Sequence, residues 1–250
     1  LDHLIILLGS GCLVCLTPLA IYLLYLAHLN GRATPTLVPG PWDFGAVLLG
    51  LSGFLILAGP LLLTLVNSVW RGYAFNGWAE LRVMVEREAT AGSLMAVGYL
   101  LVVGAGIAWL LRARRPVTAA YNVAAGTVEP TLVEVVEQLG YPWRRAEGRI
   151  EIDTRKPVDP ATPPRFFPHE LAAVKVTAFP ATGHATLRWA GAYEGVRSEV
   201  EAALPGALAA HAIRKNPVAG WLSLAAVSIL GLMLLWLAVL IYIIITPPTK

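Results

Sequence analysis

The chain has 250 residues, 56% hydrophobic and only 14% charged, with a formal net charge of +3. Soluble domains carry about 25% charged residues, so this composition excludes a wholly soluble globular protein. The arginines form no basic stripe, which argues against nucleic acid as a partner. Abundant Arg, Ala, Gly and Pro beside scarce Lys suggest GC-rich codons and a bacterial source.

Residues 1–115 read as a membrane region with three transmembrane helices, at about 4–27, 44–66 and 92–111. A fourth span, about 218–245, lies in the closing segment 213–250. Each is long enough to cross about 30 Å of hydrocarbon at 1.5 Å per residue. None carries Asp, Glu, Lys, Arg or His in its interior. The first has no basic residue ahead of its apolar run and is too long for a signal-peptide core, so it is expected to be a retained span. Pro18 and Pro60 are expected to kink or end helical turns. Tyr22, Tyr25, Trp42, Trp70, Tyr73, Trp109, Trp221 and Tyr242 sit near the expected interfaces.

The first connection, HLNGRATPTLVPGPWD, is rich in Pro and Gly and reads as a loop. The second contains an amphipathic helix over 77–91, with Trp78, Leu81, Met84 and Val85 at helical spacing and Arg82–Glu86 as an i,i+4 pair. Arg32, Arg112, Arg114, Arg115, Arg214 and Lys215 fall on one side of the spans and outnumber Arg71, Arg82, Arg87 and Lys250 on the other. The positive-inside rule then puts the N-terminus outside and the segment between spans three and four in the cytoplasm, with the chain in the bacterial inner membrane.

That segment, 116–212, has the composition of a soluble domain. TAAYNVA reads as a strand. TVEPTLVEVVEQLG reads as a helix capped by Thr127, with Pro130 in its first turn, Gly140 as its left-handed stop and Leu132, Val135, Val136 and Leu139 on one face. YPWRRAEGRIEIDT reads as a hairpin turning at Glu147-Gly148. RKPVDPATPPRFFPHE is a proline-rich loop. AAVKVTAF and ATLRWAG read as two strands joined at ATGH, followed by a helix marked by Val196, Val200, Ala203 and Leu204 and interrupted at Pro205. The expected fold is an α-helical integral membrane protein with four transmembrane helices. A small two-layer α+β soluble domain is inserted between helices 3 and 4, both its helices on one face of an antiparallel sheet.

Candidate chemistry is sparse. GLSG, Gly50–Gly53, is similar to the G-x-S-G element of rhomboid intramembrane proteases. The resemblance implies Ser52 as a nucleophile whose proton a histidine on another span removes. From the residues alone, Gly45, Gly50 and Gly53 form a small-residue face for helix packing, as do Gly98, Gly104 and Gly106 in the third span and Gly220, Ser223 and Gly231 in the fourth. Cys12 and Cys15 read as small apolar packing residues. His169 and His184 can meet across the paired strands near Asp153 or Glu170 as a metal or acid–base pair, or stand as surface histidines. Phe166 and Phe167 anchor the proline-rich loop to the sheet or meet a partner. Thr17, Thr64, Asn67, Ser223 and Ser228 are the main polar groups a transport path would use. No cofactor is indicated. The expected function is a non-enzymatic assembly, scaffolding or regulatory subunit of a larger membrane complex. Its expected partners are the lipid bilayer and other membrane-protein subunits or further copies of itself. A membrane-bound enzyme, using Ser52 or a site on the soluble domain, and a small transporter subunit are the alternatives.

Overall fold

A computed structural model describes residues 2–70, 89–124, 126–155, 171–213 and 216–245. It is mostly helical, with a six-stranded antiparallel sheet and four helices long and apolar enough to cross a membrane. These are α1 (Asp2–Gly31), α2 (Gly40–Trp70), α3 (Ala89–Ala113) and α6 (Pro217–Ile245). The helical assignment is unbroken through Pro18 in α1 and Pro60 in α2. The amphipathic segment 77–91 lies outside the described residues up to Ala89, where α3 begins.

The remaining elements are β1 (Thr36–Pro39), β2 (Val117–Tyr121), α4 (Val128–Gln138), β3 (Trp143–Ala146), β4 (Arg149–Asp153), β5 (Leu171–Phe179), β6 (His184–Gly191) and α5 (Glu194–Leu208). The sheet order is β1-β2-β6-β5-β4-β3. The chain divides into two compact units. One comprises 1–23, 46–112 and 225–250; the other comprises 24–45 and 113–224 and contains the sheet.

In the sheet unit, period-2 alternation turns Ile150, Ile152, Ala172, Val174, Ala185, Leu187 and Trp189 to one face. Against that face α4 lays Val128, Leu132, Val135 and Val136, and α5 lays Val196, Val200, Leu204 and Leu208, each spaced by three or four residues. Burying each Leu or Val side chain contributes about 1.5–3 kcal/mol, so this interface is the core of the unit. Left-handed residues close the turns: Glu147 (φ 51°) and Gly148 (φ 71°) between β3 and β4, Gly183 (φ 60°) before β6 and Gly140 (φ 77°) after α4.

Three sequence expectations are corrected. The first connection is not wholly loop, because Thr36–Pro39 pairs with Thr118–Tyr121 as the edge strand β1. Its four residues end in a proline, which an edge strand tolerates. Thr127 precedes α4 but makes no side-chain cap; its hydroxyl turns back to the Ala124 carbonyl at 2.8 Å. Pro205 does not interrupt the last amphipathic helix, since α5 continues to Leu208 with Leu204 and Leu208 both buried. The apolar stripe holds the helix on the sheet although the proline supplies no N–H to the turn before it.

The other unit is built from close helix crossings. A methyl group placed on Gly53 would come within 2.2 Å of the Val14 carbonyl oxygen, and one on Gly50 within 2.7 Å of Tyr22 Cβ, so α1 and α2 approach through these glycines. Tyr99 of α3 lies over Gly59 and donates to the Leu55 carbonyl at 3.0 Å. Gly9 of α1 meets Leu240 and Trp236 of α6.

Val136→Asp buries a carboxylate among apolar side chains and is expected to cost more than about 3 kcal/mol. Glu134→Ala, on the exposed side of α4, should change stability by less than about 0.5 kcal/mol. Near-UV circular dichroism during thermal unfolding in mild detergent distinguishes the two. A Val136→Asp chain that melts like the parent would refute the assigned core.

Candidate functional site

A polar and aromatic cluster lies at one corner of the sheet unit, on the face away from α4 and α5. Register places Tyr121 of β2 directly opposite His184 of β6, and His184 opposite Phe179 of β5. The imidazole is stacked between the two rings, with centroids 5.7 Å from Tyr121 and 4.5 Å from Phe179. Tyr121 donates its phenolic proton to Asp43 in the first turn of α2. A carboxylate there is favoured by the unpaired N–H groups of the helix N-terminus. Thr182 donates to the Phe179 carbonyl at 3.3 Å, and its hydroxyl is hydrogen-bonded to His184 Nδ1 at 2.5 Å.

Burial between the rings pushes the His184 pKa below its ordinary value, and the Asp43 charge opposes that shift. Asn122, left-handed at φ 58°, donates to the Arg32 carbonyl at 2.6 Å. Asn30 accepts from Asn216 at 3.0 Å, while Asn216 Oδ1 takes the N–H of Val218 at the start of α6. The corner is therefore a hydrogen-bonded junction of the connections leading into and out of the apolar helices. It can hold a proton on His184, but its phenol and carboxylate are already engaged with each other.

Ser52 donates to the Leu49 carbonyl at 2.7 Å, and Thr17 to the Leu13 carbonyl at 2.6 Å, so both span hydroxyls are satisfied within their own helices. No hydrogen bond from a histidine to Ser52 is present among the described residues. Cys15 is buried where Gly53 crosses α1. His169, Phe166 and Phe167 lie outside the described residues, so His184 is the one member of the proposed histidine pair with a described setting. No group of three metal-ligating side chains occurs among the described residues. Among the described residues, no neighbour comes within 4 Å of a methyl group added at Gly45, Gly98, Gly104, Gly106, Gly220 or Gly231. A hollow of about 180 Å³ between α4 and the β3–β4 hairpin, lined by Glu129, Arg145, Gly148, Ile150 and Val174, is smaller than the roughly 300–1,000 Å³ of small-molecule sites. Its lining charges are paired, Arg145 with Glu129 at 2.9 Å and Arg149 with Glu147 at 2.5 Å.

Sequence reasoning missed Asp43, Tyr121, Thr182 and Phe179 as a group. Asp43 carried a usable signal, an acid placed immediately before an uncharged span. The others gather only through strand register. No family model matches the chain, and no curated protein or solved structure matches it.

Because burial favours neutral His184, this residue's contribution to stability is greatest above the ordinary histidine pKa of about 6.5 and is lost as pH falls through it. The loss levels off once the lower folded value is passed. His184→Phe should flatten this acid-side decline in melting temperature. Asp43→Asn should lower the His184 pKa further, because it removes the opposing charge. Both are read from the pH dependence of thermal unfolding and an NMR titration of the imidazole. A His184 that titrates at or above about 6.5 would contradict the assignment.

Proposed function

We propose that this chain is a multi-pass protein of the bacterial inner membrane whose sheet unit lies in the cytoplasm, and that it serves as an assembly or regulatory subunit of a larger membrane complex. Pairing of β1 with β2 supports the topology, because it joins the connection after α1 and the segment after α3 in one sheet. Chain ends on opposite sides of a bilayer cannot form that ladder. Arg32, Arg112, Arg114 and Arg115 cluster at these same helix ends, and such clusters favour the cytoplasmic side.

The observation that carries the assembly role is the contrast among the glycines. Gly50, Gly53 and Gly59 are filled by neighbours from the same chain, whereas no neighbour among the described residues lies within 4 Å of a methyl group added at Gly98, Gly104 and Gly106 of α3 or at Gly220 and Gly231 of α6. Bare helix faces of small residues admit close approach by another helix, and packing rather than hydrophobic drive holds helices together in lipid. The spans carry no Asp, Glu, Lys, Arg or His in their interiors, which favours assembly over independent transport. The partners expected on this reading are other membrane-protein subunits or further copies of the chain.

Gly104→Leu together with Gly231→Leu should dissociate the complex while leaving the melting temperature of the chain near its parent value. Gly53→Leu should instead destabilise the chain itself, by more than about 2 kcal/mol for a side chain forced into a backbone contact. Native mass spectrometry from mild detergent and thermal unfolding measure the two effects. A strictly monomeric, partner-free parent would defeat the assembly reading.

A further inference from the structure

The sheet face opposite α4 and α5 carries a cross-strand pair of cations. Lys175 of β5 and Arg188 of β6 are direct cross-strand partners, and both are exposed. Like charges in directly opposed positions destabilise a sheet. No ion pair to either is present among the described residues. Elsewhere on the same face the opposite solution is used: Arg144 of β3 meets its cross-strand partner Glu151 of β4 at 2.7 Å. The next same-face pairs along β5 and β6 are Thr177–Thr186 and then Phe179–His184, with Phe179 41% exposed. Two cations, two hydroxyls and an exposed aromatic ring thus form one column.

The position of this column bears on what could occupy it. Arg188 lies opposite Val117, a few residues beyond the end of α3 at Ala113. The same face, one strand over, packs Val38, Ala119 and Tyr121 on Leu26 and Leu29 in the last turns of α1. Tyr121 also bonds Asp43 in the first turn of α2. The face is therefore continuous with the ends of helices apolar enough to cross a membrane. An acidic protein would satisfy the charges, but this continuity favours a headgroup plane.

We propose that this face binds the phosphates of anionic phospholipids. Lys175 and Arg188 supply the charge, Thr177 and Thr186 the hydroxyl donors, and Phe179 enters the boundary between headgroups and acyl chains. The proposal rests on the membrane reading above and adds the lipid class it prefers.

The test uses the full chain purified in mild detergent and supplied with equimolar phosphatidylglycerol and phosphatidylcholine, with retained lipid counted by native mass spectrometry. Phosphatidylglycerol should be retained at least about fivefold over phosphatidylcholine. The double variant K175Q/R188Q should bring the ratio near one, whereas R144Q, whose charge Glu151 already neutralises, should keep it. If the double variant loses its cooperative melt, K175Q and R188Q singly carry the test, each lowering the ratio. Equal retention by the parent chain, or an undiminished ratio in folded variants, overturns the proposal. So does loss of the preference in about 10 mM inorganic phosphate, which would assign the cations to a free anion. An acidic protein that copurifies only when both cations are present, without lipid preference, would reassign them to a protein surface. Carbonate extraction separates the two levels. A chain released to the soluble fraction overturns the membrane reading itself, while a carbonate-resistant chain without lipid preference overturns only the headgroup assignment.

Discussion

The ladder between β1 and β2 constrains everything around it. Four residues in the connection between α1 and α2 bond to a strand that begins just after α3, and β2 in turn pairs with β6 near the end of the sheet unit. Once this register is set, Tyr121 reaches Asp43, Asn122 reaches the Arg32 carbonyl, and Val38 closes over Ala119. Gly40 shows how tight the seam is. A methyl group there would meet the Arg114 carbonyl at 2.5 Å and the Val117 carbonyl at 2.7 Å, so only glycine lets α2 start against the strand.

A second network holds the exit from α3. Arg197 of α5 donates to the Arg115 carbonyl at 2.6 Å and to Thr118 Oγ1 at 2.9 Å, and pairs with Glu201 at 2.7 Å; Thr118 donates to the same Glu201 carboxylate. The guanidinium satisfies backbone and side-chain acceptors together, which a point charge on a flexible stem does less well. The Glu201 carboxylate is shared by both donors, so the pair is part of a partly buried network rather than a surface ion pair of small worth. Helix α5 is thereby fastened both by its apolar stripe on the sheet and by a polar clamp on the strand that follows α3.

What was legible in the sequence was local. The stripe in α4, the Glu147-Gly148 turn and the alternation of Val174 and Val176 each state their role within a few residues, and each recurs in the structure. The four long apolar runs are legible for the same reason: length and composition alone mark them. β1 was not, because four residues ending in proline carry no usable period and their partners lie far along the chain. Thr127 has the right residue type and position for a cap, but a bond to Ala124 holds its hydroxyl elsewhere. The aromatic and charged columns of the outer sheet face exist only once register has been chosen. Likewise, no pattern within one helix says which of its glycines a neighbouring helix will fill.

The order in which the chain is made gives β1 a further significance. Thr36 pairs with Tyr121, more than eighty positions later in the sequence. At roughly 5–20 residues per second, a ribosome needs about 4–17 s to make that stretch, so the segment emerges well before the strand it will join. A long, flat strand left waiting would invite pairing with neighbouring chains. One of four residues that ends in Pro39 and is flanked closely by helices offers little template for such pairing. Its brevity weakens the finished ladder, but it protects the nascent chain until the partner strand arrives.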